Sequence, residues 1–281
     1  MTGTTPTPVA FITGASRGIG AASAVALAQA GFDLAITART LEQGERHEHG
    51  SFASNTRTLP GSLAETAAQV RALGRQCLCL RSDILHPQTV IDAIRQTERQ
   101  LGRIDLLFNN ACYQGPGNMQ GLLEVTAQQA QAIYQGNVLT PLAAVQAALP
   151  GMLERGSGTV INMVSASAVN DPPAPPGDGG WSFAYPSSKA ALMRMVPSLR
   201  VEHPGPGMRY FNVEPGFVYT EVMRANNFGE AAAARFKPST AQEIAEVIRW
   251  LACAEGAAAF ADKNLVYAPQ LLKQLQQENR K

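Results

Sequence analysis

The sequence predicts an α/β fold: a single doubly wound domain, with a seven-stranded parallel sheet and helices on both faces. Three observations predict it. Short runs rich in β-branched and aromatic residues alternate with segments of helical length, which calls for crossover connections and a buried parallel sheet. A glycine-rich turn, "TGASRGIG", joins the first run to the first helical segment. The chain has 281 residues, 45% hydrophobic and 16% charged, enough to bury one large core.

The strand candidates in order are "VAFIT" (9–13), "DLAIT" (33–37), "CLCLRSD" (77–83), "IDLLFNN" (104–110), "TVINMVS" (159–165), "MRYFNV" (208–213) and "NLVYA" (264–268). Among the helices, "VIDAIRQTERQL" sets Val90, Ile91 and Ile94 on one face, with Asp83 or Ser82 and Pro87 as start signals. The stretch 184–199 is helical after its first turn, where Pro186 costs little. Two segments interrupt the alternation. Residues 40–62 are longer than a usual strand-to-helix loop and form either an ordered excursion or a flap. Residues 171–180, "DPPAPPGDGG", can continue neither helix nor strand and read as a substrate-side loop. Neither marks a domain boundary, so one domain spans 1–281. A final helix at 268–281 carries Leu271, Leu272 and Leu275, which pack either on the chain's own core or on a partner subunit.

Composition narrows the function. A formal charge of +1 with scattered Lys and Arg gives no footprint for nucleic acid or anionic lipid, so a small molecule is the expected partner. Four cysteines without repeated CxxC spacing read as reduced thiols. "RHEHG" (46–50) has two histidines and one acid between them, which fits no standard closed metal site. The N-terminus lacks a secretory pattern and no apolar run is long enough to span a bilayer; the expectation is a cytoplasmic protein.

Glycines at 14, 18 and 20 permit a tight turn, close backbone approach and exposed helix N–H groups for a pyrophosphate. No lysine follows Gly20, which disfavours a nucleoside-triphosphate loop. At the end of the second strand, an acid would accept bonds from the ribose 2′-hydroxyl of NAD. The residue there is Arg39, which with Arg17 suits a 2′-phosphate, so NADP is expected and NAD is less favoured. His47 or Arg46 would also be within the insertion's reach of that phosphate. In "YPSSK", Tyr185 and Lys189 are four positions apart on one helix face, and an ammonium would lower the phenol's pKa.

Taken together, "TGASRGIG", Asp83, "NNA" (109–111), Asn137 in "GNVLTPL", Ser165 in "INMVS", "YPSSK" and "PGFVYT" (215–220) resemble the classical short-chain dehydrogenase/reductase family, over roughly residues 8–222. The resemblance implies a Rossmann-type fold and a catalytic tetrad of Asn137, Ser165, Tyr185 and Lys189. In it Tyr185 exchanges a proton with the substrate oxygen, Ser165 polarises that oxygen, Lys189 tunes the phenol and binds ribose, and Asn137 anchors a water. It also implies cofactor contacts from Gly14, Ser16, Arg17, Gly18, Ile19, Gly20, Arg39, Asp83, Ile84, Asn110, Tyr185, Lys189, Pro215, Gly216, Val218 and Thr220. The activity implied is NADP(H)-dependent hydride transfer between nicotinamide and a carbonyl or secondary alcohol, in a homodimer or homotetramer.

Departures from the family pattern are Cys112 after "NNA", a spacing of twenty residues from Ser165 to Tyr185, the insertion after Arg39, and an ending, "NLVYAPQLLKQLQQENRK", in place of the usual glycine-rich one. The "LPGS" excursion (59–62) is similar to one in hydroxysteroid-dehydrogenase-like relatives, which implies lipid-like substrates. Residues 112–121, 166–184 and 221–238 are expected to line the substrate pocket, with Met119, Trp181, Phe183, Met223 and Phe228 favouring an apolar ketone. Two other classes give different expectations: a dinucleotide-sensing protein without turnover would have a broken tetrad, and a methyltransferase gives no reason for Ser165, Tyr185 and Lys189 to coincide.

Overall fold

A computed structural model describes residues 6–51, 54–113, 115–176, 178–227 and 238–278. One α/β domain holds seven strands: β1 (Val9–Thr13), β2 (Asp33–Ala38), β3 (Cys77–Arg81), β4 (Leu106–Asn109), β5 (Gly158–Met163), β6 (Met208–Glu214) and β7 (Val266–Tyr267). Their order is β3-β2-β1-β4-β5-β6-β7, with every neighbouring pair parallel.

The helices are α1 (Gly18–Gln29), α2 (Leu63–Ala72), α3 (Pro87–Leu101), α4 (Ala127–Tyr134), α5 (Thr140–Glu154), α6 (Ala184–Glu202), α7 (Glu221–Ala225), α8 (Ala241–Cys253) and α9 (Ala268–Glu278). Alternate strand residues feed two cores. Ala10, Ile12, Leu34 and Ile36 pack with Leu27 of α1, Val70 of α2, Val247 of α8 and Leu271 of α9. On the opposite face Phe11, Leu107 and Val160 pack with Ile94 of α3, Leu149 of α5 and Val196 of α6. Both faces are therefore covered, as a parallel sheet requires. Leu271, Leu272 and Leu275 of α9 lie on the first core, so the C-terminal helix docks on its own chain.

Several boundaries differ from the sequence reading. β3 stops at Arg81, leaving Asp83 on a turn where its Oδ1 accepts the N–H of Leu85 at 2.9 Å, while His86 occupies the N-cap position of α3 without a side-chain bond to it. α6 starts at Ala184 itself, so Pro186 sits in the first turn, where N–H groups lack intrahelical partners anyway. The last run shrinks to two paired residues because only Val266 and Tyr267 meet β6. Among the described residues of 40–62 there is no helix or strand.

Between α4 and α5 the chain widens into a π turn, Gln135–Leu139, closed by the N–H of Thr140 on the carbonyl of Gln135. The sequence supplies a reason. Pro141 has no N–H to give the carbonyl of Asn137 in α-helical register. Such turns interrupt helices where a backbone group is wanted for another partner.

Candidate active site

The strand order reverses between β1 and β4, and a crevice opens beyond the carboxyl ends of the strands there. It forms a cavity of about 1310 Å³, larger than a typical drug-sized pocket and roomy enough for a dinucleotide with a second ligand.

The glycine loop is fixed by sterics. Gly14 has φ +70°, and a Cβ there would lie 2.8 Å from Cα of Ala111; one on Gly20 would lie 2.3 Å from the carbonyl oxygen of Gly14. Gly18 also takes a left-handed φ of +56°. The N–H of Gly14 donates to Thr37 at 2.8 Å, and Nδ2 of Asn110 donates to the carbonyls of Thr13 and Gly14 at 2.9 and 3.1 Å. Asn110 thus braces the loop from beneath while still lining the cavity. Gly14, Ser16, Arg17, Gly18 and Ile19 line the cavity too; Gly20 sits behind them. A cradle this closely built around absent side chains fits a pyrophosphate.

Beside it lie the cations. Arg17 donates to the carbonyls of Pro60 and Gly61 at 2.9 and 3.0 Å, and to Oγ1 of Thr40 at 3.2 Å, pinning the insertion to the loop. Burial lowers its pKa, Glu221 and Glu65 raise it, and Arg39 adds like-charge repulsion. Arg39 donates to the carbonyl of Glu48 at 2.7 Å and borders the cavity. His47 lines the cavity with Glu45 as its partner at 3.2 Å, whereas Arg46 is exposed and stands outside it. Arg81 bonds Glu45 at 2.6 Å and holds that carboxyl well below its usual range. Arg57, unforeseen from sequence, lines the same wall. Among the described residues no group of three or more His, Cys, Asp or Glu is placed to hold a metal ion. Asp83 and Ile84 line the cavity further along.

At the other end Ser165, Tyr185 and Lys189 face the same cavity. Oγ of Ser165 accepts from the N–H and Oγ of Ser167 at 3.3 and 3.0 Å, and Ser165 lies near enough the phenol of Tyr185 to favour its phenolate. Lys189 is buried; its Nζ donates to the carbonyl of Met163 at 3.0 Å and stands 5.8 Å from the Tyr185 ring centroid. Tyr185 is half-buried at the cavity wall; desolvation raises the phenol's pKa, Cys112 and Glu214 add to that, and nearby Ser165 partly opposes it. The direction is opposite to the one the Lys189 ammonium alone would give.

Asn137 is fully buried and does not border the cavity. Its Oδ1 accepts the N–H of Tyr113 at 2.9 Å and its Nδ2 donates to Oγ of Ser188 at 3.0 Å, so the side chain ties the segment after β4 to α6. Both polar ends of its side chain are thereby engaged.

The segment after β6 closes the site. Pro215, Gly216, Val218 and Thr220 line it, and Thr220 Oγ1 also caps α7 by accepting the N–H of Met223 at 3.3 Å. Glu214, missed in the sequence, is buried at the cavity wall; burial raises its pKa against the bonds from Gly216 and Ala166 N–H groups. Met119, Trp181 and Met223 line the substrate side as expected. Phe183 does not: it is 54% exposed, because Ala184 and Ser188 take the inward face of α6. Phe228 lies outside the described residues.

Comparison with known proteins agrees with this arrangement. The family model described as short chain dehydrogenase matches residues 50–231. A short chain dehydrogenase of Monascus purpureus is 32% identical over 246 residues, covering 86% of this chain and 74% of that protein. A solved metagenomic short-chain oxidoreductase in complex with NADP is 26% identical, covers 87% of this chain and 90% of that chain, and has a TM-score of 0.65. Carveol dehydrogenase from Mycobacterium avium, solved with NAD, shares the fold at a TM-score of 0.74 and 23% identity, over 96% of this chain and 100% of that one. With its cleft, its glycine cradle and these likenesses, the chain belongs to the short-chain dehydrogenase/reductase family and is an NAD(P)(H)-dependent oxidoreductase of carbonyl and alcohol groups.

Proposed function

We propose that the protein is an NADP(H)-dependent carbonyl reductase acting on apolar ketones, with Tyr185 as the acid that gives its proton to the substrate oxygen. The observation that carries this is that Ser165, Tyr185 and Lys189 line the same cavity as the glycine cradle. The bound cofactor supplies hydride from its nicotinamide. A phenol whose pKa burial raises keeps its proton at neutral pH and is a donor, which suits reduction. Ser165 bonds the same oxygen and opposes its developing charge. Lys189 replaces protons from beneath and holds ribose hydroxyls, and the backbone carbonyl of Asn137 anchors the water that feeds it. Asp83, Ile84 and Asn110 flank the adenosine, and Pro215, Gly216, Val218 and Thr220 the nicotinamide.

Arg17 and Arg39 support NADP over NAD, since the residue that follows β2 is a cation rather than a carboxylate and the nearby Glu45 is paired with Arg81. Apolar side chains at Met119, Trp181 and Met223 support an apolar or lipid-like ketone. Exposed Leu139 and Leu142 at the start of α5, with Val201 on α6, support a homo-oligomer, which light scattering would size. No described helix is long and apolar enough to cross a membrane; the place of action proposed is the cytoplasm. The test is Tyr185→Phe assayed on a ketone panel with NADPH. Turnover should fall by about 10²–10⁴-fold with NADPH affinity nearly kept. Wild-type turnover of charged sugars alone would refute the substrate class.

A further inference from the structure

The insertion after β2 and the short helix α7 both line the cleft, the first beside Arg39 and the second beside Met223, on what are read above as its adenosine and substrate ends. They are bonded to each other. Nδ2 of Asn55 donates to the carbonyl of Ala225 at 3.2 Å and to Oδ1 of Asn226 at 3.0 Å. Nδ2 of Asn226 in turn donates to the carbonyl of His49 at 3.0 Å, to Nδ1 of His49 at 3.1 Å and to the carbonyl of Val222 at 2.9 Å. The NH₂ of Asn226 has two hydrogens for these three neighbours, so it is held whichever pair it serves. His49 is buried, with Nε2 2.9 Å from the carbonyl of Arg57. The following residue, Asn227, takes a left-handed φ of 51°, a conformation asparagine tolerates but which the surroundings must hold.

The chain of bonds continues to the proposed phosphate site. Arg39 donates to the carbonyl of Glu48, and the carboxylate of Glu48 accepts the N–H groups of Gly50 and Asn55 at 2.8 and 2.9 Å. Thus Arg39, Glu48, Asn55 and Asn226 form an unbroken path from the end of β2 to α7. His47, His49, Arg57, Met223 and Asn226 along it all line the cavity.

We propose that Asn226 is a positioning residue: through Asn55 and His49 it fastens α7 to the adenosine-side wall, so that occupancy of the adenosine end orders the substrate side. This rests on the reading of Arg39 as a phosphate ligand, and it goes further by giving the insertion a task. Linkage then requires the reverse effect as well, substrate-side occupancy tightening the dinucleotide.

The probe is adenosine 2′,5′-bisphosphate, which fills only the adenosine end, and the readout is amide hydrogen exchange. In the wild type, saturating probe should slow exchange across 222–226 at least about five-fold, the low end of ordinary coupling. In Asn226→Ala, and equally in Asn55→Ala should the first variant fold poorly, that slowing should vanish. Protection of the glycine loop by the probe should remain in both. Protection of 222–226 that is missing in the wild type, or unchanged in the variants, overturns the proposal. A wild type that binds adenosine 5′-monophosphate but not the bisphosphate refutes the Arg39 reading instead, and the same comparison made with the monophosphate then decides the fastening.

Discussion

Two regions border the same cleft and are built on different principles. The glycine loop with the head of α6 is set by backbone geometry: a Cβ on Gly20 would sit 2.3 Å from a carbonyl oxygen, and Tyr185 and Lys189 share a face because a helix turns as it does. The insertion and the substrate wall are set by side chains meeting across the chain, as where Asn226 bonds His49 from 177 positions away. Chemistry common to a family can be carried by the first kind of region. Selectivity is left to the second, where residues change without disturbing the sheet.

The largest test of that contrast is Gly20→Ala. The added methyl meets backbone on one side and Nδ2 of Asn110 at 2.6 Å on another, so the cradle must open. Dinucleotide affinity should fall by about 100-fold or more, roughly 2.7 kcal/mol, in a fluorescence titration. Retained affinity would mean that the loop is not sterically set. Next in size is Arg39→Asp, which removes a cation and adds a repelling charge at the cavity edge. NADPH should lose about 30-fold, near 2 kcal/mol, relative to NADH. An unchanged ratio would assign the phosphate to other cations such as Arg17 and Arg57. The smallest is Trp181→Ala on the substrate wall: KM for an aryl ketone should rise about ten-fold while NADPH affinity holds, the worth of a few lost apolar contacts. If cofactor affinity fell as well, the two regions would not be separable.

The same contrast explains what the sequence disclosed. The strand segments and the helices between them follow from periodicity, and the loop glycines, Tyr185 and Lys189 announce themselves by spacing, whereas Ser165 is marked only by the family resemblance. Asn137 was found, but its side chain holds Tyr113 and Ser188 rather than facing the cavity, because spacing marks a position and not a direction. Phe183 was read as inward from residue type alone, and the phase of α6 turns it out. Arg57, Glu214 and the Asn55–Asn226 contact carried no local signal; each is defined by what comes near it in space. The upward direction of the Tyr185 shift carries no local signal for a related reason: desolvation is a property of the assembled cavity, whereas the lysine is visible in the same helix.

That sign is the centre of the account and can be measured. Ultraviolet difference titration of wild type against Tyr185→Phe, without cofactor, isolates this one phenol. A folded-state pKa raised above the ordinary value near 10 keeps the proton, and the stability tied to it, through neutral pH and loses both only as pH climbs beyond that value. The account predicts no tyrosinate attributable to Tyr185 below about pH 10. A tyrosinate that appears near pH 8 in the wild type and is missing from the variant would contradict it.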